Sequence, residues 1–202
     1  RIGSDFDNVV DMMRDRLGAN AHPVQYPLGA GDLFTGVIDL VTMEMISFDG
    51  EDGSDVARAP IPEHMQDAAE EARDELLSTV ADLSEEIADL YLDEQEIPVD
   101  LLRSVIRANV LSNTLCPVFC GSARRNIGVQ PLMDAAKYYL PSPEDRPTVT
   151  ATSPKTGEES EISIHDQHFC GLVFKIVASG SADLLYVRTY SGELNTDMTV
   201  LN

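Results

Sequence analysis

The chain has 202 residues, 43% of them hydrophobic and 24% charged, which places it among folded globular chains rather than disordered ones. Its 35 acidic residues stand against 14 basic ones, and the resulting net charge of -21 excludes neutralisation of nucleic-acid phosphates as the dominant mode of contact, so direct RNA binding is not expected to lead. No run approaches the roughly 18 apolar residues of a membrane-spanning helix, and three cysteines, Cys116, Cys120 and Cys170, form neither an even disulfide set nor a Cys-x-x-Cys pair, which fits a reducing cytoplasmic setting.

Asp5 to Leu17 reads as a helix, with Phe6, Val9, Val10, Met13 and Leu17 at near-helical spacing and Gly18 as its stop. Val24 to Leu28, Phe34 to Leu40 and Met43 to Phe48 are rich in β-branched and aromatic residues and read as strands, separated by Gly29, Gly31 and a turn at Asp39 to Thr42. Asp49 to Ala59 reads as an acidic, glycine-containing loop. The charge is concentrated: residues 51 to 100 hold seventeen Asp and Glu against Arg58 and Arg73.

Within that block, Met65, Ala69, Ala72, Leu76, Val80, Leu83, Ile87 and Leu90 step by three and four, writing one apolar helix face that Asp82 and Ser84 can interrupt and restart. The opposite face carries Asp67, Glu70, Glu71, Asp74, Glu75, Asp82, Glu85 and Asp89, a pattern that by itself describes a solvated surface. Pro98 opens a shorter helix to Leu111, with Leu102, Val105, Ile106 and Val110 on its buried side.

Val118 to Cys120 is apolar without alternation, as in a buried parallel strand. Gly121, Ser122 and Ala123 then let the backbone pass close to a flat ligand, with main-chain N–H groups free to meet a carbonyl such as guanine O6. The helix after this turn packs through Leu132, Ala135, Ala136, Tyr139 and Leu140 and is ended by Pro141. Residues 143 to 161, with three prolines and Lys155-Thr156-Gly157, read as a linker or hairpin, and Phe169 to Val177 and Leu184 to Tyr190 read as strands with a turn at Ser191-Gly192. His165, His168 and Cys170 do not complete a metal-ligand set, and His22 and His64 have no triad partners, so neither metal nor catalytic residues are assigned.

The pattern Gly121-Ser122-Ala123, two residues, Asn126, one residue, Gly128-Val129-Gln130, followed by a helix ending Tyr139-Leu140-Pro141-Ser142-Pro143, resembles the guanine-recognition loop of the elongation factor G family of translational GTPases. Arg1 to Val10 resemble the segment after that family's Asn-Lys-x-Asp motif, Pro23 to Asp39 its Pro-x-Gln-x-Pro and Phe-x-Gly-Val-Ile-Asp stretch, and Phe174-Lys175-Ile176 with Arg188 to Gly192 the first strands of its second domain. The resemblance implies an α/β fold: the C-terminal part of a P-loop GTPase domain (1–22 and 113–146) with an inserted α+β subdomain (23–112), a linker (147–164), and the start of a β-barrel domain (165–202).

It further implies an internal piece of a ribosomal GTPase that translocates tRNA and mRNA. Gly121, Ser122, Ala123 and Arg125 would bind the base of GTP or GDP, Arg125 standing where the family generally has Lys. Glu70, Glu71, Asp74 and Glu75 would meet the stalk protein of the large ribosomal subunit. A Gly-x-x-x-x-Gly-Lys-Ser/Thr loop is absent from these 202 residues, so the P-loop and Mg²⁺ ligands are expected before Arg1, and the piece alone is not expected to hydrolyse GTP. Two alternatives stand beside this: Ser179, Gly180 and Asp183 replace the usual Asp-Pro-x-x-Gly turn, as in a paralogue specialised for ribosome recycling, and an acidic protein-binding module would need no nucleotide at all.

Overall fold

In the computed structural model, residues 3–50, 53–153, 156–180 and 182–201 are described; Arg1 and Ile2 of the N-terminal resemblance, Lys155 of the linker stretch and Asn202 lie outside them. The chain divides into two units, Arg1–Leu140 and Pro141–Asn202.

Helix α1 (Phe6–Leu17) begins where the Asp5 carboxylate accepts the Asn8 amide at 3.1 Å, and ends where Gly18, at φ 61°, turns its amide back to the Arg14 carbonyl at 3.1 Å. It packs through Val10, with Phe6 and Met13 alongside, onto Ala21 and Val118. Val9 and Leu17, expected on the same face, are 46% and 74% exposed. The surface beneath is only two three-residue strands, β1 (Ala21–Pro23) paired in parallel with a later strand, Cys116–Val118, and it is too small to cover a wider stripe.

Next comes an antiparallel meander of β2 (Gln25–Leu28), β3 (Gly36–Asp39), β4 (Glu44–Asp49) and β5 (Asp55–Ala59), paired in chain order. The turn at Asp39 is held by its own carboxylate, which accepts the Val41 and Thr42 amides at 2.9 and 3.3 Å. Strand β5 corrects the loop expected over Asp49 to Ala59: its side chains are exposed apart from half-buried Ala59, so no alternation marked it. Backbone pairing with β4 forms it, assisted by Arg58 on Glu44 at 2.9 Å.

The long periodic stretch is two helices, α2 (Glu63–Ala81) and α3 (Glu85–Leu92), with the break where the sequence placed it: Ser84 Oγ accepts the Ile87 amide and restarts the helix. With α4 (Val99–Leu111), they bury Ala69, Leu76, Val80, Ile87, Leu102 and Ile106 against Val24, Ile38, Leu40 and Val41 of the sheet side. Arg73 secures α2 to the β3–β4 turn, donating to the carbonyls of Leu40 and Val41.

Strand β6 (Cys116–Val118) lies two residues earlier than the expected Val118 to Cys120, because Phe119 and Cys120 leave the ladder to join two different apolar clusters. Helix α5 (Val129–Tyr139) buries Ala135 and Tyr139 only. Leu132 and Leu140, expected on its packing face, are 53% and 57% exposed, and Ala136 is exposed as well, since within this unit α5 presents a single i, i+4 pair to the core. Arg107 of α4 closes its end, donating to the carbonyls of Tyr138 and Leu140 at 3.0 and 2.9 Å. The residue before Pro141 is extended, as proline demands.

In the second unit, the stretch read as linker or hairpin is a hairpin, β7 (Thr148–Thr152) with β8 (Glu159–Ser163), and β9 (Cys170–Ser179) pairs antiparallel with β10 (Ala182–Ser191). Gly192, at φ 62°, packs directly on the His168–Phe169 backbone, where any Cβ would sit 2.6 Å from main-chain atoms.

His22 sits between α1 and α2: Nδ1 is 3.2 Å from Thr79 Oγ1 and 3.4 Å from an Arg14 nitrogen, and Nε2 is 3.0 Å from Asn20 Oδ1. Burial and the Arg14 cation lower its pKa, with Glu75 opposing. The folded state therefore binds fewer protons than the unfolded one, and this contribution to stability is complete above about pH 6.5 and lost as pH falls below it. Titration of the His22 ring by NMR should give a midpoint below the ordinary histidine value, and His22→Asn should remove the matching part of the loss of denaturation midpoint between pH 7 and pH 5.

Candidate functional site

The turn after β6 closes on itself. Ser122 donates to the Ile127 carbonyl at 2.8 Å and Ile127 returns the bond at 3.1 Å, while a 3₁₀ turn at Ala123–Arg125 brings the Arg125 amide to Ser122 O at 3.0 Å. Asn126 and Gly128 take φ of 52° and 79°, the left-handed region that Asn tolerates and Gly enters freely. A Cβ on Gly121 would meet Ile127 O at 2.8 Å, and one on Gly128 would meet Cys120 O at 2.6 Å. The fixed Gly, Asn and Gly spacing is thus the chemistry of a tight turn.

The side chains on this turn sort into a rim and a base. Gly121, Ala123, Arg124 and Arg125 are exposed, and among the described residues the amides of Gly121, Ala123 and Arg124 have no carbonyl partner. The rim is therefore small, open and rich in donors, which fits a flat carbonyl-bearing ring. Arg125 reaches the Asp32 carbonyl at 3.4 Å with one guanidinium nitrogen. Cys120 behind the turn is inert, its thiol pushed up to about 12 by burial.

Sequence reasoning missed the base. Ile127 is buried with Val37, Ile46 and Phe48 of the meander, and Phe34 and Cys120 pack around them. Gln130 Nε2 donates to the Gly53 carbonyl at 3.0 Å. Gln130 was signalled only as part of the Gly128-Val129-Gln130 wording, Ile127 was one isoleucine inside a polar turn, and Gly53 was one glycine inside an acidic run.

All four acidic candidates are exposed on α2, yet they are not equivalent. Glu75 holds Arg14 of α1 at 3.0 Å, and Asp74 accepts the Tyr91 hydroxyl at 2.8 Å. The Glu70 and Glu71 side chains have no ion pair or hydrogen bond among the described residues and face solvent with no cation beside them, Glu71 acting only on Tyr26, whose pKa burial, Asp7 and Glu71 raise. In the second unit, His165 faces Glu144 at 3.8 Å and His168 faces Asp166 at 2.9 Å. Among the described residues no three potential metal ligands come together, and no helix is long and apolar enough to cross a membrane.

Compared with known proteins, the chain is 42% identical over its whole length to elongation factor G of Petrotoga mobilis, and 44% identical over 99% of its length to elongation factor G of Salinibacter ruber. It spans 30% and 29% of those relatives. A crystal structure of a Thermus thermophilus protein superimposes with a TM-score of 0.71 at 24% identity, covering 95% of this chain and 26% of that one, which supports a shared mixed α/β fold. No family model matches the chain. The resemblance read from the turn and its flanks therefore extends across all of the sequence.

The turn geometry makes one direct demand. Gly128→Ala would force a Cβ against Cys120 O at a left-handed φ, at a strain of about 1–3 kcal/mol. Hydrogen exchange at the Ser122 and Ile127 amides should accelerate about tenfold or more, with the α2 amides unaffected.

Proposed function

We propose that the chain is an internal part of an elongation factor G, carrying the base pocket and the inserted subdomain of a GTPase that drives tRNA and mRNA movement on the ribosome. The observation that carries this reading is the open small-residue rim at 121–125, set on a self-closing turn, in a chain alike to elongation factor G from end to end.

In this reading the free Ala123 amide, at the rim, donates to guanine O6, while Ser122, whose own amide is held by the Ile127 carbonyl, borders the base without donating its backbone N–H to it. Adenine presents an amino group at that edge, so donors would oppose donors, and a desolvated unpaired N–H costs about 1–3 kcal/mol. Arg125 lies over the purine face through its planar guanidinium. Phosphates, Mg²⁺ and the attacking water would be held by residues outside these 202, and the residues here select and orient the base. Neither rival draws support from the named relatives; a recycling paralogue is separated from a translocase by assaying both reactions.

The acidic face of α2 is the docking surface in this reading, and its partner is the basic surface of a stalk protein. Unpaired carboxylates steer a cation-bearing partner and speed its encounter more than they raise affinity. Glu70 and Glu71 are the leading pair because neither side chain is held by an ion pair or hydrogen bond among the described residues; Asp74 and Glu75 would have to release Tyr91 and Arg14 to take part fully.

Two measurements on the full-length protein test these assignments. Ala123→Val places two methyl groups on the rim and should weaken GDP binding about tenfold or more without moving the thermal midpoint; unchanged binding removes the base pocket. Glu70→Lys combined with Glu71→Lys should slow stalk-stimulated GTP turnover, with the difference shrinking as salt is raised, and stimulation at the parent rate removes the docking assignment.

A further inference from the structure

The β4–β5 turn is exposed at Asp49, Gly50, Ser54 and Asp55, but one residue within it is not. Gly53 is buried, its φ is 60°, and its amide closes the turn on the Gly50 carbonyl at 3.3 Å. A Cβ built there would lie 3.0 Å from both the Arg125 and the Asn126 carbonyl oxygens, so the 3₁₀ turn of the base loop rests by its carbonyl side on a residue that must have no side chain. The Gly53 carbonyl in turn receives Gln130 Nε2 from the first turn of α5 at 3.0 Å. Gln130 Oε1 is buried without a partner among the described residues, so the side chain is held by that one donated bond.

We infer that Gly53 and Gln130 are positioning residues for the base loop, so that the meander sets how firmly a guanine nucleotide is held; this rests on the base-pocket reading of residues 121–125. Neither touches the base. They act through the loop backbone, Gly53 by supporting it and Gln130 by tying the start of α5 to the same support, while Ile127 anchors its far end among Val37, Ile46 and Phe48. A loop fixed at both ends presents its donors without having to order them when nucleotide arrives. Loosening either point makes ordering part of binding, and the loss falls on the base side alone.

The full-length protein bearing Gln130→Met or Gly53→Ala provides the test. Gln130→Met keeps the volume, removes the donor to Gly53 and also removes the orphaned acceptor, so its thermal midpoint should stay near the parent's. Release of a fluorescent GDP analogue, followed by stopped flow, should be about three- to tenfold faster, the loss expected for one hydrogen bond. Affinity for ADP, which shares the ribose and phosphates, should not change, so the GDP-to-ADP ratio should fall in step; a purely structural defect would lower both. Gly53→Ala should act in the same direction, and if it fails to fold Gln130→Met decides alone. With Ala123→Val in parallel, weak GDP binding by Ala123→Val but parental release and parental GDP-to-ADP ratio for Gln130→Met overturns the positioning role and leaves the base pocket standing. Parental GDP binding by Ala123→Val overturns both.

Discussion

The backbone of Val24 is the joint on which the first unit depends. Its amide bonds to Val118 O and its carbonyl accepts the Leu40 amide, both at 3.0 Å, so one buried residue belongs at once to the parallel pair β1–β6 and to the meander β2–β5. Buried backbone groups must be paired, and here the pairing leaves no freedom for the two sheets to separate. The self-closing turn that leaves β6 is thereby brought against the Gly53 turn that leaves β4. The long segment between β1 and β6 thus packs behind a turn that most of it does not adjoin in sequence.

Much of this was legible in the residues because local chemistry and burial agreed. The start of α1 at Asp5, the restart at Ser84 and the Asp39 turn follow from side chains satisfying nearby backbone groups, while the stop at Gly18 and the opening of α4 after Pro98 follow from the backbone angles those two residues adopt. The apolar steps of α2 and α4 pointed correctly to Leu76, Val80, Leu102 and Ile106. Strand β5 was not legible, because an edge strand with solvent on its side chains is specified by its neighbour's hydrogen bonds and carries no pattern of its own. The exposure of Leu132 and Leu140 was equally hidden: periodicity tells which side of a helix is apolar, not whether this unit supplies a surface to cover it.

The candidate site divided in the same way. Its rim, Gly121 to Arg125, was recognisable from composition and from family wording, since small residues and fixed turn positions leave a trace in one dimension. The role of its support was not, because Ile127, Gly53 and Gln130 act through contacts between segments 72 residues or more apart, or through a single backbone φ. The acidic face illustrates a third case. Sequence counts treat Glu70, Glu71, Asp74 and Glu75 alike, whereas Arg14 and Tyr91 engage two of them and leave the other two to the solvent. Net charge describes how a protein is attracted at a distance; which carboxylates are at liberty is decided by neighbours that fold beside them.

Strand β3 has Val37 and Ile38 wholly buried on opposite faces, Ile38 among the helices and Val37 beside Ile127. Sliding this strand by one residue would exchange the two side chains between clusters of different shape and break both at once. The spacing from the acidic helix on one side to the Gly121–Gly128 turn on the other is therefore a built-in gauge block: neither surface can creep along the sheet without breaking the cluster that holds the other.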